Sequence, residues 1–372
     1  MRSEEAGVAA AEDARWMREA LGLVAEGCGR TRPNPPVGAV LVRDGAVVGR
    51  GWHRKAGGPH AEVWALQEAG EAARGATLYV TLEPCCTWGR TPPCAEAVIK
   101  AGVRRVVMAT TDPNPKHAGR AIPMLREAGV EVVCGVEEAA AKELIAAFRT
   151  RMTEGRPRFV LKLGMTWDGR IADAEGRSKW ITGAEAREAV QELRRASDVV
   201  LVGAGTVRAD SPSLWPRPDG GREPWRAVVA GRGAVPTDAP LFCDEHADRT
   251  VVFAPKGWQP EVADALRRQG VAVTEWGEEE GAWAAVARYF QEAGALQVLC
   301  EGGGETAAGL MRSGMLDEVH LFVAASALGG DGRPAVAAGG WRMGALAEFE
   351  WKSVERVGAD LHAVLTPKRG AQ

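Results

Sequence analysis

Apolar positions along this chain switch between two periods, and the switching outlines the elements. Ala14, Met17, Leu21 and Val24 recur at helical spacing, which predicts a first helix ending in the Gly27 to Gly29 region. VGAVLV (37–42) and AVVGRGW (46–52) then flank Asp44-Gly45, the dipeptide that type I′ turns prefer, so a hairpin follows. HAEVWALQEAG (60–70) returns to the helical period, and TLYVTL (77–82) reads as a buried strand. Pro92-Pro93 opens another helix, CAEAVIKAG (94–102), which Gly102 stops. RVVMAT (105–110) and VEVVC (130–134) are short apolar strands separated by helical segments. The alternation predicts a three-layer α/β domain with a mixed sheet.

Between Phe148 and Phe159 the chain turns basic and polar, with Gly155 and Pro157 inside the stretch, so a linker is expected there. It divides the chain into domains expected at 1–150 and 157–372. The second half opens a new strand-helix series at Phe159 to Leu163, without internal repeat, heptad pattern or low-complexity tract. Two of its strands run into glycine-rich turns: Val199 to Val202 into Gly203-Ala204-Gly205-Thr206, and Val298 to Cys300 into Glu301-Gly302-Gly303-Gly304-Glu305-Thr306. A glycine run between a strand and a helix N-terminus lets backbone amides approach a phosphate. Neither turn completes the dinucleotide fingerprint, and a tight turn without a ligand reads equally well from these residues alone.

Composition narrows the classes. The chain has 372 residues, 46% of them hydrophobic, enough for two ordinary cores. Lys and Arg number 46 against 49 Asp and Glu, and the resulting net charge of −3 offers no general attraction to nucleic acid or an anionic membrane. A small-molecule substrate is expected. Residues 1–17 are acidic and lack the basic and apolar regions of a secretory signal, and no run of apolar residues reaches the ~18 of a membrane span. Seven scattered cysteines fit a reducing cytoplasm better than a disulfide framework, with Cys28, Cys134, Cys243 and Cys300 expected as small core residues.

The candidate chemistry lies in His60, Glu62, Cys85 and Cys94. One imidazole and two thiolates fill three corners of a tetrahedral Zn²⁺ and leave the fourth for water, whose pKa then falls from about 15.7 towards about 7. Glu62 would be the proton shuttle rather than a ligand, as in zinc deaminases. Side chains two apart on a regular helix diverge by roughly 200°, so His60 and Glu62 share a site only at a helix's very start, where Pro59 places them. A closed structural zinc is the plainer alternative. It usually takes four protein ligands, often in close C-x-x-C pairs, and this chain has no such pair.

Taken together, PNPPVGAV (33–40), HRKAGGPHAE (53–62), TLEPCCTWGRTPPC (81–94) and DPNP (112–115) resemble the deaminase half of the bifunctional riboflavin-biosynthesis deaminase/reductase family. LKLGMTWDGRIA (161–172), SKWIT (178–182), ADSPSLWPR (209–217) and CEGGGETAAG (300–309) resemble its reductase half. The resemblance implies a cytidine-deaminase-like domain followed by a dihydrofolate-reductase-like domain, with Zn²⁺ and NADPH as cofactors. It implies that a phosphoribosylamino-diaminopyrimidinone loses its 2-amino group as ammonia and that NADPH then reduces the ribosyl C1′. His60, Cys85 and Cys94 carry over as zinc ligands, Glu62 as proton shuttle and Asn34 as a reader of the pyrimidine edge. Ser178, Trp180, Arg194, Leu214, Arg217 and Glu301 match substrate positions, with Arg194 and Arg217 suited to bidentate capture of the sugar phosphate. Gly164, Thr206, Asp210 and the loop Gly303, Gly304, Glu305, Thr306, Ala307, Ala308 and Gly309 match NADPH positions. A cytoplasmic homo-oligomer is expected, with neither nucleic acid nor membrane as partner.

The chain departs from that family after the first zinc cysteine, where Cys86 and Thr87 replace the usual Ser-His. Cys86 is an isosteric Ser replacement or an alternative ligand, and the imidazole is lost. His53, Arg54 and Lys55 are candidate phosphate contacts or an exposed basic turn. Trp180 has a plain core reading as well. The rival class is a zinc-dependent nucleobase deaminase with an accessory C-terminal binding domain, which would want a basic stripe and stacking aromatics. Two Tyr and seven Phe speak against it.

Overall fold

The computed structural model describes residues 2–27, 31–88, 92–218, 223–231 and 233–368. Cys28 and the Gly89-Arg90-Thr91 part of the GRTPPC motif lie outside them. The chain divides into two compact units, Met1–Gly155 and Arg156–Gln372.

The first unit runs α1 (Arg2–Gly27), β1 (Gly38–Arg43), β2 (Ala46–Trp52), α2 (Ala61–Ala69), β3 (Thr77–Val80), α3 (Cys94–Lys100), β4 (Arg105–Met108), α4 (Ala121–Glu127), β5 (Glu131–Cys134), α5 (Glu138–Leu144) and α6 (Ala146–Glu154). Its five strands lie in the order β2-β1-β3-β4-β5, antiparallel through β2, β1 and β3 and parallel from β3 to β5, the expected mixed sheet. The hairpin turns on Asp44 and Gly45 with φ of 52° and 74°, the two positive values a type I′ turn needs. Strand alternation builds the three layers. Ala39, Leu41, Leu78, Val80, Val106 and Met108 point to the face covered by α2, α3 and α4. Val40, Val42, Tyr79 and Val107 point to the opposite face, against Trp16, Met17 and Ala20 of α1.

The segment expected as a linker is mostly helix. Residues through Glu154 complete α6, whose Phe148 and Thr150 are buried, and Gly155 ends it in the left-handed region at φ 66°. Its basic residues Arg149 and Arg151 belong to a helix rather than a loop. Cys134 and Cys243 are likewise exposed instead of core, the first on the edge strand β5 and the second at the end of a four-residue helix in the second unit; Cys300 is buried as expected.

The second unit contains β6 (Arg158–Thr166), β7 (Arg170–Ala172), α7 (Ala184–Ala196), β8 (Val199–Gly203), α8 (Ala204–Asp210), β9 (Trp225–Val229), α9 (Pro240–Cys243), β10 (Thr250–Pro255), α10 (Pro260–Arg268), β11 (Ala272–Trp276), α11 (Gly281–Glu292), β12 (Gln297–Cys300), α12 (Gly304–Arg312), β13 (Leu316–Ala324), β14 (Arg333–Pro334), β15 (Phe349–Val357) and β16 (Asp360–Pro367). Nine strands order as β11-β10-β9-β8-β12-β6-β13-β16-β15, parallel up to β13 and antiparallel beyond it. Alternation again splits the core: Val199 and Leu201 face one apolar cluster, Val200 and Val202 the other. No helix among the described residues is long and apolar enough to cross a membrane.

Candidate active sites

The metal triad is assembled by three short segments. His60 is the N-cap of α2 with extended backbone at φ −76° and ψ 169°, so its ring leaves the helix direction while Glu62 sits in the first turn. That geometry resolves the two-residue spacing. His60 Nδ1 lies 3.2 Å from Cys94 Sγ and 3.5 Å from Cys85 Sγ, and the three donor atoms all fall within 4.8 Å of one another. An imidazole nitrogen and two sulfurs at this separation match a tetrahedral zinc site with an open fourth position. Cys94 begins α3, and its backbone N–H donates to Cys85 Sγ at 3.3 Å, which ties the two sulfur-bearing segments together. Cys86 is not part of the cluster; it packs half-buried against the core under the sheet, as a Ser replacement would.

Close packing fixes α2 over the hairpin. A Cβ on Gly51 of β2 would collide with the Ala61 carbonyl oxygen, so only glycine lets the helix start approach the strand this closely. Glu62 is 3% exposed. Burial, and then the charge at Cys85, push its carboxyl up to about 7, the range for a group that must both take and give a proton near neutrality. The sulfurs share protons unequally: Cys85 is lowered to about 4, first by the thiol of Cys94 donating to it and then by His60, while Cys94 is raised. The opposite shifts describe one proton held between two atoms, and the direction that stands is that Cys85 ionises first.

A cavity of about 370 Å³ opens beside the triad, with Asn34, His53, Glu62, Asp112, Asn114 and His117 on its walls. His53 is buried, and its Nδ1 lies 3.1 Å from the Pro59 carbonyl oxygen, which can only accept. Nε2 is therefore the acceptor for the Asn34 side-chain amide at 3.3 Å, which fixes how Asn34 presents its oxygen. Arg54 instead lies over the rings of Trp52 and Trp64, and neither it nor Lys55 reaches the cavity wall. Sequence reasoning missed Glu83, whose carboxylate accepts the backbone N–H groups of Asp112, Gly119 and Ala121 at 3.1, 2.8 and 2.8 Å and so holds the loop carrying Asn114 and His117. The only signal was its place two residues before Cys85.

The second unit has its own cavity, about 840 Å³, where β8 and its neighbour β12 each pass through glycine into a helix. Gly164, Ser178, Thr206, Asp210, Glu301, Gly303, Gly304, Glu305, Thr306 and Gly309 line it, and Ser178 Oγ donates to Asp210 Oδ1 at 3.2 Å. The expected loop 303–309 is in fact the start of α12. Gly303 is its N-cap, the Ala307 N–H is already donated to the Gly303 carbonyl at 3.0 Å, and Ala307 and Ala308 point into the core. The cavity therefore meets the amides of the first turn, not theirs. Gly302 is required because a Cβ there would lie 2.5 Å from Thr306 Cβ.

Arg194 does not offer its fork to a phosphate. Its Nε and Nη2 donate to the two oxygens of Glu301 at 2.6 and 3.1 Å. Burial would raise the Glu301 carboxyl, but Arg194 and Lys162 outweigh it and hold the group down at about 2. Lys162, 3.3 Å from Glu301 and on the cavity wall, was missed by the sequence reading because a lone strand lysine carries no signal. Trp180 is 71% exposed, which removes its core reading, and Arg187 lies over its ring. Leu214 is buried with φ 59°, and Arg217 is exposed, donating to Ser213 Oγ at 3.2 Å; neither they nor Trp180 are on the cavity wall.

A three-donor zinc site with a buried carboxylate, on a mixed-sheet domain, followed by a parallel-sheet unit whose helix starts face a large cavity, defines a zinc deaminase joined to a nucleotide-dependent reductase. Residues 10–110 match the model of the cytidine and deoxycytidylate deaminase zinc-binding region, and residues 157–363 match the RibD C-terminal domain. The chain is 42% identical to the riboflavin biosynthesis protein RibD of Aquifex aeolicus over 318 residues, 85% of this chain and 88% of that one. It is 38% identical to RibD of Escherichia coli, covering 95% of this chain and 99% of that one. The crystal structure of the diaminohydroxyphosphoribosylaminopyrimidine deaminase/5-amino-6-(5-phosphoribosylamino)uracil reductase of Thermotoga maritima superimposes with a TM-score of 0.86 at 34% identity, covering 96% and 99% of the two chains. RibD of Acinetobacter baumannii gives 0.84 at 38% identity, covering 97% and 100%. The chain belongs to the RibD family: a bifunctional deaminase and NADPH-dependent reductase of riboflavin biosynthesis, acting on a small pyrimidine. Its second half is thus a catalytic domain and not an accessory binding module.

Proposed function

We propose that the first unit hydrolyses 2,5-diamino-6-(5-phosphoribosylamino)pyrimidin-4-one to 5-amino-6-(5-phosphoribosylamino)uracil and that the second reduces the ribosyl group to ribityl. The observation that carries the first step is the convergence of His60 Nδ1, Cys85 Sγ and Cys94 Sγ beside a buried Glu62. Zinc bound by these three residues supplies an activated water. The water oxygen would bond C2 while Glu62 moves its protons, one to the ring nitrogen N3 and one to the 2-amino nitrogen, so the C2–amino bond breaks to release ammonia and C2 is left as the carbonyl. Asn34, held by His53, hydrogen-bonds the pyrimidine edge.

In the second unit, the first-turn amides at Gly304 to Thr306, with Gly164, Thr206 and Asp210, hold NADPH. Hydride goes to C1′, the C1′–ring oxygen bond opens, and the ring oxygen gains a proton. Ser178 and Glu301 orient the sugar, and Arg194 and Lys162 keep Glu301 ionised; Arg217, Leu214 and Trp180, which are off the cavity wall, are assigned to the substrate on the motif match alone. The test is incubation of zinc-loaded protein with the phosphoribosyl diaminopyrimidinone. Ammonia should be released without NADPH, and NADPH should be oxidised only after that release. NADPH consumption with no ammonia would overturn the order.

A further inference from the structure

The loop that leaves the reductase cavity after Asp210 is held in a shape its own residues disfavour. Ser211 and Leu214 both sit in the left-handed region, at φ 44° and 59°, and neither is glycine. Such backbone persists only where its surroundings over-determine it, and it gathers at ligand clamps. Three contacts do so here. Leu214 is buried in the apolar cluster that Val200 and Val202 share with Leu241 and Phe242. The Trp215 ring lies flat on that of His246, with centroids 3.7 Å apart and 2° between the planes. The Ser213 carbonyl oxygen accepts from Arg226 Nη1 at 3.3 Å.

Arg226, on β9, is fully buried, and a buried guanidinium needs a partner for each of its five N–H groups. All five are met. Nε donates to Thr250 Oγ1 at 3.0 Å, Nη1 to Asp244 Oδ2 at 2.6 Å as well as to Ser213, and Nη2 to Asp244 Oδ1 and the Leu241 carbonyl, both at 2.8 Å. Asp244 Oδ1 also accepts the His246 N–H at 3.1 Å, which fixes the ring on which Trp215 stacks. One side chain thus ties β9, the start of β10, the end of α9 and the 211–217 loop to a single point. A buried ion pair adds little net stability over apolar packing, so what this arrangement supplies is a fixed place for Ser213.

The same loop touches the cavity chemistry at two places. Asp210, where it begins, accepts the Ser178 hydroxyl at 3.2 Å. Arg194 Nη1 lies 3.5 Å from the Trp215 carbonyl oxygen while its Nε and Nη2 hold the two oxygens of Glu301. A shift at Ser213 therefore reaches Glu301 through Arg194. We infer that Arg226, with Asp244 and His246, is a positioning group of the reductase: it presets the 211–217 loop so that Arg194 holds Glu301 in the orientation that receives the sugar. Arg226 is off the cavity wall and acts only through that loop. The inference rests on the placing of the sugar at Glu301 proposed above.

The full-length chain and its Arg226→Lys, His246→Ala and Glu301→Gln forms are compared by NADPH oxidation with 5-amino-6-(5-phosphoribosylamino)uracil and by NADPH titration. Lysine keeps the charge but has three N–H groups and no fork, so it cannot hold Asp244 and Ser213 together. Arg226→Lys should raise KM for the aminouracil about tenfold or more, with the Kd for NADPH changed less than about twofold. His246→Ala leaves the buried pair intact and removes only the stacking surface; it should raise KM about threefold, and it decides the matter if Arg226→Lys does not fold. A purely structural role predicts the opposite split, a lower Tm and a smaller folded fraction with KM unchanged. Unchanged KM in the folded variants, or a Kd for NADPH that rises as much as KM, would overturn the assignment. Added to Glu301→Gln, Arg226→Lys should have a smaller effect than it has alone, because both act on one contact, and full additivity would break the link through Arg194. If Glu301→Gln by itself leaves KM unchanged, the sugar lies elsewhere and the reading above falls, while KM in the Arg226 and His246 variants still decides whether the loop is preset for substrate.

Discussion

At the scale of residues, the two sites show opposite uses of a buried carboxylate. Glu62 is held near neutrality by burial, so it can exchange a proton; Glu301 is held ionised by Arg194 and Lys162, so it cannot. Glu62→Gln should keep about one zinc per chain, because His60, Cys85 and Cys94 are untouched, yet lower ammonia release by a factor of about 10² to 10⁴. Metal analysis beside a deaminase assay checks this, and near-wild-type turnover would remove Glu62 from its role. Glu301 predicts an acid transition. Its folded value of about 2 lies below the ordinary 4.5, so the stabilisation is complete above about 4.5 and drains away as pH falls towards 2. The amount is on the order of 3 kcal/mol for a carboxylate this buried. Chemical denaturation of the second unit across that window should show the loss in the wild type, and Glu301→Gln should flatten it while lowering stability at neutral pH.

At the scale of elements, much was legible because local pattern and packing agree. The Asp44-Gly45 hairpin, the glycine-stopped α3 and the strands of the first sheet all follow from residues near one another in sequence, as do β6, β8 and β12 of the second. What could not be read depends on partners far along the chain. Glu83 looks like any strand-end acid until its three amide donors, 29 to 38 residues away, are in place. The stretch after Phe148 looked like a linker because its basic and polar residues hide a helix whose buried side, Phe148 and Thr150, is short, and Arg194 looked like a phosphate clamp because Glu301, 107 residues away, was not yet beside it. Two glycine tests follow. Gly51→Val would drive a side chain into the Ala61 carbonyl, lifting the start of α2, and should cost about 1 to 3 kcal/mol while sharply weakening zinc retention. Unchanged zinc affinity in a competition with a chelator would show that α2 can shift without moving His60. In α12, a Cβ on Gly304 would collide with the Pro334 carbonyl, so that position reports on packing; at Gly303 a Cβ meets only Thr206 Oγ1 at 3.7 Å. Gly303→Val should therefore fold normally and raise the Kd for NADPH about tenfold or more by crowding the first-turn amides. An unaltered NADPH titration would place the cofactor phosphates elsewhere.

For the whole molecule, the decisive feature is that each unit closes its own core. All nine strands of the larger sheet and both of its apolar clusters come from residues after Gly155, and the five strands around the zinc site come from residues before it. Among the described residues no strand is shared, so each sheet makes its backbone hydrogen bonds within its own unit. The cavity residues segregate in the same way, with the triad and Glu62 in one unit and Lys162, Ser178, Asp210 and Glu301 in the other. A fragment comprising residues 156–372 should therefore fold cooperatively, bind NADPH and oxidise it with the deaminated phosphoribosylaminouracil at a rate within a few-fold of the full chain. Given the diaminopyrimidinone instead, the fragment should leave NADPH unoxidised, since nothing in it can replace the 2-amino group by a carbonyl. Stopped-flow absorbance of NADPH with each substrate separates the outcomes. Oxidation with the amino precursor would mean that the second cavity does not discriminate the pyrimidine's 2-position, and the order of the two reactions would then be set by the first unit's rate alone.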